Sequence, residues 1–297
     1  MLQSFLFDCP PGLLFNSLDK KCDWADLVFC NQKKKTTSIC SSLHLTKQQW
    51  TLCQRKVWSN SGTIAEITID RDELIELATL AEKAERYKDM AVSMKTVAKS
   101  GLELSNKERH LLNTAYKNMV GSRKNASKII ASNDPHHNEP GYGLAKEYVM
   151  KIEKELHEIS TDILSLLNDI LIPKTTDTKP KIFYLKMKGD FNRYIAEVTR
   201  REEQKAAIAN ISEKAYKEAF NLSKSTLDPA NPLRLGIALS LSNLYYDIMS
   251  KSDSACSIAK QAFTDGQHLN ISKENYMHSA FILQRLRDKM TGDWNCN

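Results

Sequence analysis

The feature that most constrains the fold is an apolar repeat with helical spacing, which begins at Asp70 and continues almost to the C-terminus. Residues three and four positions apart lie on the same face of an α-helix, and here such positions are repeatedly apolar. No alternating pattern typical of a β-strand follows residue 70. We therefore predict an all-α domain of about nine antiparallel helices joined by short polar loops. The first helix carries its apolar face at Leu74, Leu77, Ala78, Ala81 and Ala84.

Glycines, prolines and capping residues indicate where the helices begin and end. Ser105 and Glu108 form a Ser-x-x-Glu capping box, which predicts the start of a long helix. We expect Pro173 to end a helix that begins near Leu144, and Gly266 to shorten the penultimate helix. From the third helix onward, the predicted helices span about 105–132, 144–171, 181–198, 203–224, 232–249, 253–265 and 273–291.

Two of the predicted helices each carry a row of basic residues on one face. A forked guanidinium, a tyrosine hydroxyl and a lysine together suit a phosphate or carboxylate better than a lone lysine does. A solvated charged face explains the same spacing, so the spacing alone leaves both interpretations open. The residues are Lys186, Arg193 and Tyr194 on one helix, and Lys117, Lys124 and Lys128 on the other.

The composition is that of an ordinary globular protein, with 41% hydrophobic and 26% charged residues. The formal charge is +6, but the lysines are interspersed with acidic residues rather than grouped, so we predict no nucleic-acid binding. The sequence has no run of about 20 apolar residues, and its N-terminus lacks the basic opening of a secretory signal. We therefore expect a cytoplasmic protein that does not enter a membrane.

The sequence lacks the motifs that carry catalysis or hold a cofactor. We find no glycine-rich phosphate loop, no His-Glu-x-x-His and no nucleophile with a neighbouring base. His136 and His137 are adjacent in a predicted loop, with no third metal ligand nearby. We predict no enzymatic activity, no cofactor and no metal site.

The cysteines are distributed unevenly along the chain. Five of the seven precede residue 54, and only Cys256 and Cys296 lie in the helical region. Residues 31–67 mix three adjacent lysines with Ser/Thr clusters and show no sustained periodicity. We therefore divide the chain into a weakly ordered N-terminal segment, residues 1–68, and a helical domain, residues 69–297.

Five stretches of the helical region resemble consecutive blocks of the 14-3-3 family. They are RDELIELATLAEKAERYKDM, ERHLLNTAYKNMVGSRK, FYLKMKGDFNRYIAEV, NPLRLGIALSLSNLYYDIM and LQRLRDKMT, in the family's order. The resemblance covers about residues 69–294. It implies an all-α dimeric cup that acts as an adaptor in signalling and binds phosphoserine or phosphothreonine peptides of partner proteins.

The resemblance implies a phosphopeptide groove that departs in part from the family pattern. Lys124 replaces one of the family's two phosphate-binding arginines, and Ser240 and Lys289 replace its two asparagines. Arg285 replaces a groove leucine, and an extra residue places Trp294 one position late. Lysine keeps the charge of arginine but loses its fork, so we expect phosphopeptide binding that is weak, salt-dependent and tolerant of flanking sequence. The implied groove residues are Lys117, Lys124, Lys186, Arg193, Tyr194, Leu239, Ser240 and Lys289.

The resemblance also implies a dimer interface near the start of the helical domain. Arg86 would face Glu155, and Asp89 would face Lys151, across a two-fold axis. The partner would be a second copy of the chain or another 14-3-3 protein. The implied interface residues are Leu80, Ala84, Arg86, Asp89, Tyr148, Lys151 and Glu155.

Residues 9–30 resemble the second half of a chitin-binding type-2, or peritrophin-like, domain. The matching features are Cys-Pro-x-Gly-Leu-x-Phe-Asn, then Cys-Asp-Trp, then a closing cysteine. This resemblance implies a disulfide between Cys9 and Cys22 and leaves Cys30 without its upstream partner. Half of so small a module cannot build a stable core, so we do not expect it to bind chitin.

Three functions are compatible with these patterns. We predict the phosphopeptide-binding adaptor, because Lys117, Arg193 and Tyr194 are retained. A structural partner that has lost ligand binding but heterodimerises with intact 14-3-3 proteins is the first alternative, favoured by the groove substitutions. A secreted chitin-binding protein is the second, favoured only by residues 9–30.

Overall fold

The structure, a computed structural model, describes residues 13–16, 21–24, 70–132, 142–267, 273–294 and 296. The predicted linker 31–67, the histidines His136 and His137, and the side chains of the predicted Cys9–Cys22 pair lie outside the described residues. The chain divides into two units, Met1–Glu76 and Leu77–Asn297. The domain boundary at residue 69 stays a prediction.

Nine helices of 13 residues or more occupy the described chain from Arg71 onward, which confirms the predicted all-α fold. Each helix of the second unit packs mainly against its neighbours in sequence, and α7 also packs against α9. The helices are α1 (Arg71–Lys83), α2 (Tyr87–Lys99), α3 (Asn106–Ser132), α4 (Tyr142–Leu166), α5 (Thr178–Val198), α6 (Glu202–Thr226), α7 (Pro232–Asp247), α8 (Ser252–Gln267) and α9 (Lys273–Asp288).

A short β-hairpin, which was not predicted from the sequence, lies in the first unit. Strand β1 (Leu13–Asn16) pairs antiparallel with β2 (Lys21–Trp24). Leu13 lies opposite Trp24, and Asn16 lies opposite Lys21. Both strands fall within residues 9–30.

The capping box at the start of α3 is confirmed. The backbone N–H of Ser105 donates to Oε2 of Glu108 at 2.6 Å, and the N–H of Glu108 donates to Oγ of Ser105 at 3.3 Å. These reciprocal bonds satisfy two donors that a helix start leaves without intrahelical partners.

The predicted end of α4 at Pro173 is wrong. After Leu166 the chain forms one π-helical turn, Leu167–Leu171, and then a helical turn Ile172–Lys174 that contains Pro173. Pro173 follows a π-turn, in which the regular α-helical hydrogen bonding is already interrupted, and the helical run ends one residue later, at Lys174. The next helix begins at Thr178, three residues before the predicted Lys181, with Pro180 in its first turn, where its missing N–H costs no hydrogen bond.

The predicted shortening of α8 by Gly266 is also wrong, because α8 runs through Gly266 to Gln267. Gly266 is buried between α7 and α9. A β-carbon there would lie 2.9 Å from Cδ2 of Leu283 and 3.1 Å from Cδ2 of Leu235. The glycine therefore permits close packing of three helices rather than ending one of them.

Helix α5 lies at the centre of the second unit and packs against α3, α4, α6 and α7. Ile182 and Phe191 are fully buried on it, and Tyr184 is 1% exposed. A second apolar cluster joins α7, α8 and α9 through residues such as Leu241, Leu286 and Trp294. Among the described helices, none is long and apolar enough to cross a membrane.

Candidate functional site

The close packing of α5 against α6 positions Asp190, the first of two acidic residues that contact the predicted phosphate-binding cations. Gly189 has no side chain, and the fully buried ring of Tyr216 occupies the adjoining space. The Tyr216 hydroxyl donates to Oδ1 of Asp190 at 2.7 Å. Ser212 Oγ also donates to the carbonyl of Gly189 at 2.8 Å. These bonds from α6 hold Asp190 in one orientation.

Asp190 is a buried carboxylate that is surrounded by cations. Its Oδ2 accepts from Nζ of Lys186 at 2.7 Å. Burial raises the pKa of Asp190, but the charges of Lys186, Lys117 and Arg193 outweigh burial and lower it to about 2. Asp190 is therefore ionised near neutral pH and holds Lys186 in place.

Glu197 is the second carboxylate of the site and pairs with a cation at each oxygen. Oε1 accepts from Arg193, and Oε2 pairs with Lys124. Both cations lie against the Tyr194 ring, with Arg193 Cζ 4.7 Å and Lys124 Nζ 5.0 Å from its centroid. Arg193 Nε also donates to the Tyr216 hydroxyl at 3.5 Å. Glu197 thus joins the basic rows of α3 and α5 in one cluster.

This arrangement, which we call the basic cluster, has an excess of positive charge. It contains Lys117, Lys124, Lys186 and Arg193 against two carboxylates, so these six groups have a net formal charge of +2. Lys117 is exposed and forms no ion pair with any described residue. A phosphate monoester carries about −1.5 to −2 charges at pH 7 and offers three acceptor oxygens. The basic cluster therefore suits a phosphorylated side chain.

The remaining predicted groove residues lie on α7 and next to α9. Leu239 and Ser240 are partly exposed on α7. Lys289 follows α9, pairs with Asp293 at 2.5 Å and lies 5.9 Å from the centroid of the Trp294 ring. Asp247, at the end of α7, is within electrostatic range of Lys289 and Arg193. Burial raises its pKa, and the charges of Lys289 and Arg193 act on it in the opposite direction.

A π-helical turn lies where an extra residue is expected near the C-terminus. It spans Lys289–Asp293, and the N–H of Trp294 donates to the carbonyl of Lys289 at 2.9 Å. A single π-turn takes one more residue than an α-turn does. Trp294 consequently stays buried, stacked on Tyr246 with 5.4 Å between ring centroids.

The residues of the expected dimer interface lie on α1, α2 and α4 and in the turn between α1 and α2. Leu80 is 54% exposed and Tyr148 is 53% exposed in the single chain. Three of the four charged residues have ion-pair partners within the chain, and Nζ of Lys151 lies 5.9 Å from the centroid of the Tyr148 ring. Arg86 pairs with Asp89 at 2.5 Å, and Glu155 pairs with Arg123 at 3.2 Å. The interface itself stays a prediction.

The acidic and neutral partners of the basic cluster were not predicted from the sequence. Glu197 stands four residues after Arg193, a spacing that indicates a helical ion pair and could have been used. Asp190 stands four residues after Lys186 in the same way. Tyr216 is 26 residues from Asp190, and no local signal reveals that contact.

A disulfide between Cys256 and Cys296 was also not predicted. Their Cα atoms are 5.5 Å apart, and the bond joins α8 to the chain just beyond Trp294. Because 40 positions separate the two cysteines, their spacing gives no indication of the bond. The disulfide closes the segment that carries α9 and Lys289.

Comparisons with known proteins agree with this architecture. A sequence model of the 14-3-3 protein family matches residues 77–295. The chain is 46% identical to 14-3-3 protein zeta of Bombyx mori over 229 residues, which are 76% of this chain and 92% of that protein. It is 45% identical to human 14-3-3 protein beta/alpha over 229 residues, 76% of this chain and 93% of that protein. The matched family region does not include residues 9–30, and from Leu77 to residue 295 the chain belongs to the 14-3-3 family.

Proposed function

We propose that the protein is a 14-3-3 adaptor that binds phosphoserine or phosphothreonine peptides of partner proteins through the basic cluster. The observation that carries the proposal is the excess of two positive charges around Asp190 and Glu197, beside the hydroxyl of Tyr194. The two carboxylates orient the cations, and the excess charge remains for a ligand. Cations held in place before binding lose less side-chain entropy when they engage a phosphate.

Three substitutions should make this binding weaker and less selective than the family pattern implies. Lys124 has a single ammonium group with which to bind both Glu197 and a phosphate. The forked guanidinium of an arginine has separate N–H groups that can donate to each of them. Ser240 and Lys289 lack the amide that would donate to and accept from a peptide backbone. We therefore expect binding that depends on salt and tolerates changes around the phosphorylated residue.

We further propose that two protomers associate through the face that carries Leu80, Ala84 and Tyr148. The exposed apolar side chains of this face supply area, and Arg86, Asp89, Lys151 and Glu155 supply charge complementarity. The partner is a second copy or another 14-3-3 protein. Two grooves in one dimer raise the affinity for a doubly phosphorylated client through effective concentration, which offsets weak individual sites.

Fluorescence anisotropy with a labelled phosphoserine peptide and its unphosphorylated form tests the adaptor function. We expect tighter binding of the phosphorylated peptide and loss of that preference in Arg193→Ala. Arg287→Ala is the matched control, because Arg287 is an exposed arginine on α9 and no described residue pairs with it. Equal binding of both peptides by the unmodified protein would contradict the proposal.

A further inference from the structure

A stripe of one aromatic and two basic residues follows one side of α9. Phe281, Arg285 and Lys289 stand four residues apart, a spacing that aligns side chains along a helix. Phe281 is 63% exposed, and the guanidinium carbon of Arg285 lies 5.8 Å from its ring centroid. We call these three residues the α9 stripe.

The two cations of the α9 stripe lie on the side of the helix that packs against α7, next to the basic cluster. A β-carbon on Gly236 of α7 would lie 3.5 Å from Cε of Lys186 and 3.9 Å from Cδ1 of Ile282. Arg285 and Lys289 stand three and seven residues after Ile282, spacings that place them on the same side of α9 as Ile282. This side of α9 therefore approaches the basic cluster across α7. Asp247 gives the same placement at the other end of the stripe, because the charges of Lys289 and Arg193 both act on its carboxyl group.

The two cations of the stripe differ in their ion pairing. Arg285 is exposed and forms no ion pair with any described residue. Lys289 is paired with Asp293, whose side chain is 65% exposed and is therefore open to exchange for another anion. At the α9 stripe, an unpaired guanidinium beside an aromatic ring attracts an anionic side chain. A leucine at position 285 would instead attract an apolar side chain.

We propose that the α9 stripe is a second anion subsite, which binds a carboxylate or phosphate on a ligand residue other than the one held by the basic cluster. The occupant is a side chain of the same bound peptide, because α5 and α9 both pack against α7 and so place the basic cluster and the stripe on either side of one helix. This inference rests on the proposed function and adds a specificity to it. Arg285 makes the main contact, and Lys289 contributes when Asp293 releases it.

A peptide series tests the subsite. One peptide carries a single phosphoserine, and the others add glutamate, glutamine or a second phosphoserine about two to six residues away, since an extended chain spans about 3.3 Å per residue. The measured quantity is the ratio of affinities between the peptide with a second anion and its glutamine counterpart. We expect about a fivefold preference for the second anion at the best position, with phosphate above carboxylate, and a decrease with added salt.

Three variants test whether Arg285 and Lys289 cause the preference for a second anion. Arg285→Gln should bring the ratio close to one. Asp293→Asn should raise it, because Lys289 loses its intramolecular partner and a repelling carboxylate is removed. Arg287→Gln is the control, since Arg287 is exposed two residues further along α9 and about 200° around the helix. It should leave the ratio unchanged.

The outcomes separate the subsite from the function on which it rests. A preference for phosphoserine over serine, with a ratio of one at every spacing, overturns the subsite and leaves the adaptor function intact. No preference for phosphoserine at all overturns both. A ratio that falls equally in Arg285→Gln and Arg287→Gln also overturns the subsite, because it shows general electrostatic attraction rather than a contact at the stripe.

Discussion

The ring of Tyr216 lies against the backbone of Gly189, so closely that a β-carbon on Gly189 would be 2.5 Å from its Cδ1 atom. This approach brings α6 near enough for the Tyr216 hydroxyl to reach both Asp190 and Arg193. The orientation of the basic cluster thus depends on the absence of one methyl group.

Gly189→Ala should therefore lower both stability and phosphopeptide affinity. The added methyl group forces the buried Tyr216 ring to move, an overpacking that costs about 1–3 kcal/mol. Gly121→Ala is the matched control, because no atom lies within 4 Å of its added β-carbon in the interior of α3. Chemical denaturation should show the control to be neutral or stabilising. Equal effects of the two variants would show that the Tyr216 contact is unimportant.

The low pKa of Asp190 predicts a loss of stability in acid. Its pKa falls from 3.8 to about 2 on folding, so the ionised carboxylate stabilises the folded state above pH 3.8. This contribution, on the order of 2 kcal/mol, is lost as the pH falls through about 2. Asp190→Asn should flatten the dependence of unfolding free energy on pH in this window. The control variant Asp169→Asn, at an exposed carboxylate, should leave this pH dependence unchanged.

Lys124→Arg should tighten the binding of a peptide with a single phosphoserine by about tenfold. An arginine keeps the pair with Glu197 and adds a charge-assisted hydrogen bond, worth about 1.5 kcal/mol. Adding Ser240→Asn and Lys289→Asn should tighten it further. Lys107→Arg, at the exposed start of α3, is the control for a general effect of arginine. Fluorescence anisotropy measures all four proteins, and an unchanged affinity in Lys124→Arg would mean that the fork does not reach the phosphate.

Reduction of the Cys256–Cys296 disulfide should lower the melting temperature. Closing a loop of 40 residues in the unfolded chain stabilises the folded state by about 4 kcal/mol in the chain-entropy description. The double variant Cys256→Ser, Cys296→Ser should melt at a lower temperature and should not respond to reductant. Peptide mapping without reduction identifies the bond directly. Free thiols at both positions in the untreated protein would contradict this prediction.

Exchanging the charges of Arg86 and Asp89 should produce monomers without unfolding the chain. The two residues pair with each other within one protomer, so Arg86→Asp with Asp89→Arg keeps this local ion pair. Across the expected interface, however, the exchange places like charges opposite Glu155 and Lys151. Light scattering should report a dimer for the unmodified protein and a monomer for the variant. A dimer in both would show that association uses another surface.

The sequence by itself determined the helices and the cationic half of the basic cluster. Helical periodicity and the capping box at Ser105 depend on residues three to four positions apart, and this information is local. The stretches that resemble the 14-3-3 family likewise contain Lys117, Arg193 and Tyr194. Errors arose where a local rule was overridden, as at Pro173, which follows a π-turn, and at Gly266, which permits packing.

Only the tertiary structure decided how the cations are held and where the C-terminal segment lies. Tyr216 reaches Asp190 because α5 and α6 pack without a side chain at Gly189, and Cys256 reaches Cys296 because α8 lies beside the final turn. Such contacts join residues 26 to 40 positions apart. They depend on how helices approach each other in space, which the spacing of residues along a single helix does not specify.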